Sequence, residues 1–153
     1  MSILKRCLRN EKGFTMIEMM VVLVIIAVLI AGGIKFYSGY MENARVTKAK
    51  AQISTMQAAL DSYYAEKSEY PDTVDELLNA GIRVATGSTS NPFKLEATDP
   101  WGENYEYKVS GTGNNQYSVY TGHNKVQGKD GYRVIGKGQD GESSPPEVSN
   151  ATP

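Results

Sequence analysis

The spacing of apolar and polar positions divides the first half of the chain into two helical stretches of different character. Residues 14–34 (FTMIEMMVVLVIIAVLIAGGI) carry a single charge, at Glu18, and hardly any polar atoms. A helix that crosses the hydrocarbon core of a bilayer needs about 20 apolar residues. This stretch therefore predicts one transmembrane helix with a carboxylate near its start, where a buried charge costs less than at the bilayer centre.

Beyond Lys35 the apolar residues recur at every third or fourth position, which is typical of an amphipathic helix. The apolar face consists of Val46, Ala49, Ile53, Met56, Leu60 and Tyr63. We predict one continuous helix from Phe14 to about Lys67, whose second half packs against a small domain. The helix is expected to end before Pro71, because the residue preceding a proline avoids the α-helical conformation.

A short helix and a loop are predicted next. Thr73 and Glu76 have the spacing of a capping box, with Thr73 as the N-cap residue. Gly81 marks the end of this helix after about two turns. Residues 83–91 are mostly small and polar, so we expect them to form a loop.

The remaining chain predicts a small antiparallel sheet. Residues 105–109 and 116–120 alternate between apolar and polar side chains, as half-buried strands do, and residues 132–135 are a third candidate strand. A hairpin alone is only marginally stable, so it needs the long helix to pack on. From Gly136 onward the chain is rich in Gly, Ser, Pro and acidic residues, which predicts disorder.

Charge and cysteine content bear on the compartment. Four basic residues precede the apolar run, namely Lys5, Arg6, Arg9 and Lys12. Basic residues favour the cytoplasmic side, so the N-terminus should be cytoplasmic and the polar domain should face outward. The net charge of −1 becomes about −4 without the first 13 residues, so no basic face for nucleic acid is expected. The single cysteine, Cys7, precludes a disulfide in the outward-facing domain.

The residues alone leave the role of Glu18 open. It is either a carboxylate tolerated at the membrane interface or, if the chain is cut before Phe14, a partner for the new α-amino group of a neighbouring subunit. The basic leader, Gly13-Phe-Thr-Met-Ile-Glu18 and the apolar run together resemble the type IV prepilin family, which includes the pseudopilins of type II secretion. The resemblance implies cleavage between Gly13 and Phe14 by a prepilin peptidase, N-methylation of Phe14, and a role for Glu18 in assembly.

The family resemblance also implies a fold and a domain organisation. The fold is a pilin-like α+β arrangement, with a long, partly transmembrane N-terminal helix packed against a small antiparallel sheet. We assign residues 1–13 to a cleaved cytoplasmic leader, 14–34 to the transmembrane and assembly segment, and 35–136 to the globular domain. Residues 137–153 are expected to be a disordered tail.

Within this family the chain is most similar to the major pseudopilins of type II secretion. They share a tyrosine-proline after the long helix, a short helix next, and Asp99-Pro-Trp-Gly102, in which Trp101 is expected to pack the sheet on the helix. This similarity implies a periplasmic filament for protein export. The alternatives are a type IV major pilin, forming a surface fibre for adhesion, twitching or DNA uptake, and a membrane-tethered binding domain that never polymerises.

The resemblance implies partners and a location. The partners are other copies of the chain, the prepilin peptidase, minor pseudopilins or pilins, and an inner-membrane assembly platform with its ATPase. The subunit would span the inner membrane once, with its C-terminal domain outside the cytoplasm, and would then enter an extracytoplasmic filament.

Catalysis and metal binding have weak support in the sequence. His123 stands without a cysteine or second histidine, so no zinc site is expected, and no nucleophile motif predicts an enzyme. The resemblance implies an acidic C-terminal loop that binds calcium, a cation that needs six to eight oxygen ligands. Asp130 and Asp140 are the candidates here, with Asn124 nearby, but we favour the simpler interpretation that each is a solvated aspartate in a turn.

Overall fold

The computed structural model describes residues 13–150, and it divides into two compact units at Tyr40/Met41. The first unit contains the beginning of helix α1 (Met16–Lys67), and the remainder of α1 belongs to the second unit. The predicted end of this helix at Lys67 is confirmed, whereas its start lies two residues after the predicted Phe14. Residues 1–12 of the leader predicted at 1–13 lie outside the described residues.

The second unit has the predicted α+β organisation. Within residues 41–150 it contains the rest of α1, α2 (Val74–Asn79), β1 (Phe93–Thr98), β2 (Asn104–Ser110), β3 (Gln116–Tyr120), β4 (Lys125–Val126), β5 (Lys129–Asp130), β6 (Arg133–Gln139) and β7 (Glu142–Ser149). Five strands form one antiparallel sheet in the order β1-β2-β3-β6-β7, and β4 and β5 form a separate hairpin. The pilin-like α+β fold class is confirmed.

The core lies between α1 and the sheet. The predicted apolar face of α1 is buried, since Ala49, Ile53 and Leu60 have no solvent-exposed surface. Its partners are side chains on the inner face of the sheet, namely Tyr105, Tyr107, Val109, Tyr117, Val119 and Val134. Removing this apolar area from water stabilises the unit by about 25 cal/mol per Å².

The prediction of a disordered tail from residue 137 is wrong up to Asn150, because this segment completes β6 and forms β7. The glycines that suggested disorder have a packing role instead. A Cβ atom on Gly136 would overlap the side chain of Ile53, and one on Gly138 would overlap the ring of Tyr117. Glycine therefore lets β6 approach its neighbours closely. Residues 151–153 lie outside the described residues.

A buried glutamine on α1 compensates for two prolines in β7. The pairing of β6 with β7 shifts register between Ile135 and Lys137, opposite Pro145 and Pro146. Proline has no N–H to donate to a sheet, so carbonyl groups here need another donor. Gln57 Nε2 donates to the carbonyl oxygens of Lys137 (3.1 Å) and Ser144 (2.9 Å). The side chain of Gln57 thus fastens the irregular part of β6–β7 to the helix.

The short elements are partly as predicted. Thr73 is the N-cap of α2, and its hydroxyl accepts a hydrogen bond from the Glu76 N–H at 3.3 Å. Glu76 reaches back to the N–H of Asp72 at 3.0 Å. The predicted loop begins with a single β-bridge between Val84 and Leu95, which covers the outer edge of β1, a strand that the sequence pattern did not reveal.

Four tyrosines pack together where α1 ends. The Tyr70 ring lies 4.6 Å from the rings of both Tyr64 and Tyr117, measured between centroids, and Tyr107 lies 6.1 Å from Tyr117. Tyr70 accepts the Gly141 N–H at 3.0 Å, and Tyr107 donates to the carbonyl of Pro71 at 2.9 Å. Burial raises the pKa of Tyr70 to about 12, and it also raises the pKa values of Tyr107 and Tyr117.

We predict that Gln57→Met lowers the free energy of unfolding by about 1–3 kcal/mol, because it keeps the side-chain length but removes the donor of two partly buried hydrogen bonds to the carbonyl groups of Lys137 and Ser144. Gln116→Met, on the exposed side of β3, is the matched control and should change stability by less than about 0.5 kcal/mol. Urea denaturation measures both variants. Equal stabilities for the two would contradict the role of Gln57.

We also predict that the second unit loses stability above about pH 10. Unfolded tyrosines ionise near a pKa of about 10, whereas Tyr70 in the folded chain has a pKa of about 12, so folding favours the neutral form. Stability is therefore unaffected below about pH 10 and falls by up to about 1.4 kcal/mol per pH unit for each such tyrosine above it. Denaturation curves between pH 8 and pH 12, followed with tyrosinate absorbance, test this. Complete tyrosine ionisation near pH 10 without unfolding would refute it.

Candidate assembly site at the start of the membrane helix

The predicted cleavage position lies just outside α1. Gly13, Phe14 and Thr15 precede the helix in irregular conformation, and Gly13 and Phe14 are both exposed. The relative solvent-accessible surface of Phe14 is 80%. The peptide bond between Gly13 and Phe14 therefore takes no part in helical hydrogen bonding. A peptidase can bind such a segment in extended form.

Glu18 forms a capping box with Thr15. The Glu18 Oε2 atom accepts hydrogen bonds from the Thr15 N–H (2.8 Å) and from the Thr15 hydroxyl (3.0 Å). The same hydroxyl oxygen accepts the Glu18 N–H at 3.3 Å. A negative side chain in the first turn also interacts favourably with the positive end of the helix dipole. The carboxylate is thus oriented toward the N-terminus of its own helix.

The sequence analysis missed this contact, although the signal was available. Thr15 and Glu18 have the same T-x-x-E spacing as Thr73 and Glu76, which was interpreted as a capping box. Glu18 was considered only as a partner for an amine or for headgroups. A carboxylate accepts about four hydrogen bonds, so the box leaves capacity for a cationic partner as well.

The apolar side chains around Glu18 are exposed within the first unit. Phe14, Ile17 and Val21 line the surface beside the carboxylate, and Ile17 is 70% exposed. Among residues 13–150, α1 is the one helix long and apolar enough to cross a membrane, and its most apolar window is not buried by the chain itself. Such a surface needs lipid or other protein to cover it.

The two calcium candidates are not brought together. Asp130 ends β5 before β6 begins, and Asp140 follows the last residue of β6, so they lie at opposite ends of a seven-residue strand about 20 Å long. Asp130 forms an ion pair with Lys125 at 3.2 Å. Asp140 accepts a hydrogen bond from Asn115 Nδ2 at 2.8 Å. Across residues 13–150, no group of three His, Cys, Asp or Glu side chains is placed to hold a metal.

The predicted turn at residues 99–102 is confirmed, with the Gly102 N–H donating to the Asp99 carbonyl at 3.0 Å. Trp101 contacts the helix as predicted, but it is only half-buried and its Nε1 donates to Glu42 Oε2 at 3.3 Å. Its ring stacks on His123 at 5.3 Å between centroids, nearly parallel. His123 therefore has a packing role in the second unit.

Comparison with known proteins identifies the relatives of this chain. Residues 8–34, which include Gly13, Phe14 and Glu18, match the prokaryotic N-terminal methylation motif. Residues 37–143 match the family described as type II secretion system (T2SS), protein G. The chain therefore belongs to the type II secretion system protein G family.

Curated relatives agree with this assignment. Type II secretion system core protein G of Pseudomonas aeruginosa is 36% identical over 111 residues, which covers 68% of this chain and 78% of the relative. The protein of the same name from Vibrio cholerae is 34% identical over 110 residues, covering 68% and 75%. That from Escherichia coli K12 is 33% identical over 106 residues, covering 65% and 73%.

Proposed function

We propose that this chain is the major pseudopilin of a type II secretion system, a structural subunit that polymerises into a periplasmic filament for protein export. The observation that carries this proposal is the match of residues 37–143 to the protein G family, joined to an N-terminal methylation motif at residues 8–34. The relatives are named as core proteins of that system, which favours the secretion role over a surface pilus.

The first unit anchors the subunit in the inner membrane before assembly. Its helix carries an uninterrupted exposed apolar surface, and Phe36, Tyr37 and Tyr40 follow the apolar run, each more than 65% exposed. Aromatic side chains of this kind are enriched at membrane–water interfaces. They mark the outer boundary of the membrane segment, with the basic leader on the cytoplasmic side.

The leader is removed between Gly13 and Phe14 by a prepilin peptidase, and the new amino group of Phe14 is methylated. The exposure of both residues and the start of α1 at Met16 support this proposal, because the scissile bond is not part of the helix. Cleavage places a positive charge within one turn of the Glu18 carboxylate.

Assembly then covers the apolar helices with one another. In the membrane, the capping box with Thr15 supplies two hydrogen bonds to the Glu18 carboxylate. In the filament, Glu18 additionally pairs with the N-terminal amine of a neighbouring subunit. A charge left unpaired in such an apolar bundle is costly, so the pair fixes the register between subunits. The machinery comprises an inner-membrane platform with its ATPase and minor pseudopilins, with no role for nucleic acid.

We predict that the chain isolated from its host membrane begins at Phe14 and is heavier than residues 14–153 by one methyl group, as measured by intact mass and N-terminal sequencing. Gly13→Leu should remain uncut, because it changes the residue at the scissile bond. Gly39→Leu, which changes an unobstructed glycine within α1, should be processed normally. A wild-type chain that retains Met1 or Ser2 would exclude processing and with it a filament role.

We predict that Glu18→Ala and Glu18→Gln are both cleaved normally but form filaments at least on the order of 100-fold less, the loss expected when one partner of a buried ion pair is removed. Glutamine can still complete a capping box, so the Gln variant removes the charge and keeps the box. Glu66→Gln, an exposed acid on the same helix, is the control.

Sheared filament yield and export of cargo from the host measure the effect of these variants. Filaments from Glu18→Gln at the wild-type level would show that the box, and not the charge pair, is what assembly needs. Deletion of the whole chain should abolish export if the secretion role is correct. Normal export after deletion, together with loss of surface fibres, would establish the pilus alternative.

A further inference from the structure

The segment between β3 and β6 contains Asp130, one of the two candidates for the calcium-binding loop that the family resemblance implies. Residues 121–132 form this connection and contain the β4–β5 hairpin. A long connection on a domain surface must satisfy its backbone polar groups through some partner, which is either a side chain, water or an ion. The contacts described for this segment are with protein groups, both side chains and backbone.

The first fastening point is Asp99, which is 5% exposed. Its Oδ1 atom accepts the N–H groups of Trp101 and Glu103, both at 3.0 Å. Its Oδ2 atom accepts the His123 N–H at 3.0 Å, which connects the turn at 99–102 to the beginning of the segment. Three N–H donors therefore take up most of the acceptor capacity of this buried carboxylate, which is about four hydrogen bonds.

Thr121 holds the same end of the segment from the other side. It has no exposed surface, and its hydroxyl donates to the His123 carbonyl at 3.1 Å and accepts the Val134 N–H at 3.2 Å. The His123 carbonyl, an oxygen that could have served a cation, thus already accepts a hydrogen bond.

The second fastening point is Glu42 on α1. Its Oε1 atom accepts the N–H of Gln127, at the tip of the β4–β5 hairpin, at 3.1 Å. Its Oε2 atom accepts Trp101 Nε1 at 3.3 Å and lies 3.6 Å from Arg45. One carboxylate therefore ties the helix, the tryptophan turn and the hairpin together.

The β4–β5 hairpin contains a positively charged side chain, that of Lys125. Lys125 and Asp130 are directly paired residues of β4 and β5, and their charged groups lie 3.2 Å apart. The Gly131 N–H donates to the Asn124 carbonyl at 2.7 Å, and Val126 is fully buried beneath the hairpin. The Lys125 ammonium lies beside the Asp130 carboxylate, so it would repel a divalent cation at that position.

We infer that the segment between β3 and β6 is closed by Asp99, Glu42 and the Lys125–Asp130 pair in place of calcium, so that this chain folds and keeps its hairpin ordered independently of calcium. Calcium requires six to eight oxygens. The carboxylates of the segment and its two fastening points are engaged by N–H groups or by lysine, so the residues present do not fit the ion.

The test compares the full-length chain in detergent micelles with EDTA, with about 5 mM CaCl₂, and with the same concentration of MgCl₂, because the weakest protein calcium sites have a Kd of about 1 mM. Lys125 and Lys129 provide trypsin sites within the hairpin. We expect the Tm to agree within about 1 °C in all three conditions, and cleavage at these lysines to proceed at the same rate. A rise in Tm or slower cleavage with calcium, but not with magnesium, would overturn the inference.

Two variants test the proposed fastening directly. Glu42→Ala should accelerate cleavage at Lys125 and Lys129 at least several-fold in EDTA and in calcium alike, because the tip of the hairpin loses its acceptor. Asp130→Asn removes only the exposed ion pair with Lys125, so it can still be tested if Glu42→Ala does not fold. Glu66→Gln is the control and should leave the cleavage rate unchanged. Restoration of the wild-type rate by calcium in either test variant, or no acceleration in both, would refute the inference.

Discussion

The contact between one face of α1 and strand β6 is the constraint on which the second unit depends. Gly136 and Gly138 allow the backbone of β6 to approach Ile53 and Tyr117 without a Cβ atom in the way. This proximity brings β6 within reach of Gln57, whose amide donates to two carbonyl groups across the irregular β6–β7 pairing. The sheet, its edge strand and the helix are consequently held as one packed unit.

The first unit is governed by the opposite condition, because its apolar side chains from Phe14 to Tyr40 are exposed within the part of the chain that the structure describes. A helix that is apolar on all sides is stable only when its surroundings are apolar. Lipid meets this condition for a single subunit, and neighbouring helices meet it in a filament. Under the proposed assembly, the carboxylate of Glu18 in the first turn of α1 limits where such helices can lie alongside one another, since a carboxylate needs polar partners in either setting.

Features that depend on local sequence were predictable. The apolar face from Val46 to Tyr63 follows from the helical period, the N-cap at Thr73 follows from a four-residue pattern, and strands 105–109 and 116–120 follow from alternation. The candidate assembly site was also found locally, because Gly13, Phe14 and Glu18 lie within six residues. The Thr15 contact is equally local, because Thr15 and Glu18 have the spacing of a capping box.

Features that depend on distant residues were not predictable. The Gly- and Pro-rich stretch after Gly136 has the composition of a disordered tail, and its order comes from Ile53 and Gln57, about 80 residues earlier in the chain. The local sequence predicts the turn at Asp99, whereas the contact of Asp99 with His123 depends on the path of a later loop. The amino-acid composition contains no information about either of these long-range contacts.

Pro145 and Pro146 lie on β7, at an outer edge of the sheet, and the single bridge at Val84 covers the opposite edge. Chains packed densely beside one another are at risk of fusing edge to edge into cross-β aggregates. The two missing N–H donors make β7 a poorer template for such growth. Copies of this domain can therefore be crowded together at high local concentration with a lower risk of pairing through this edge of the sheet.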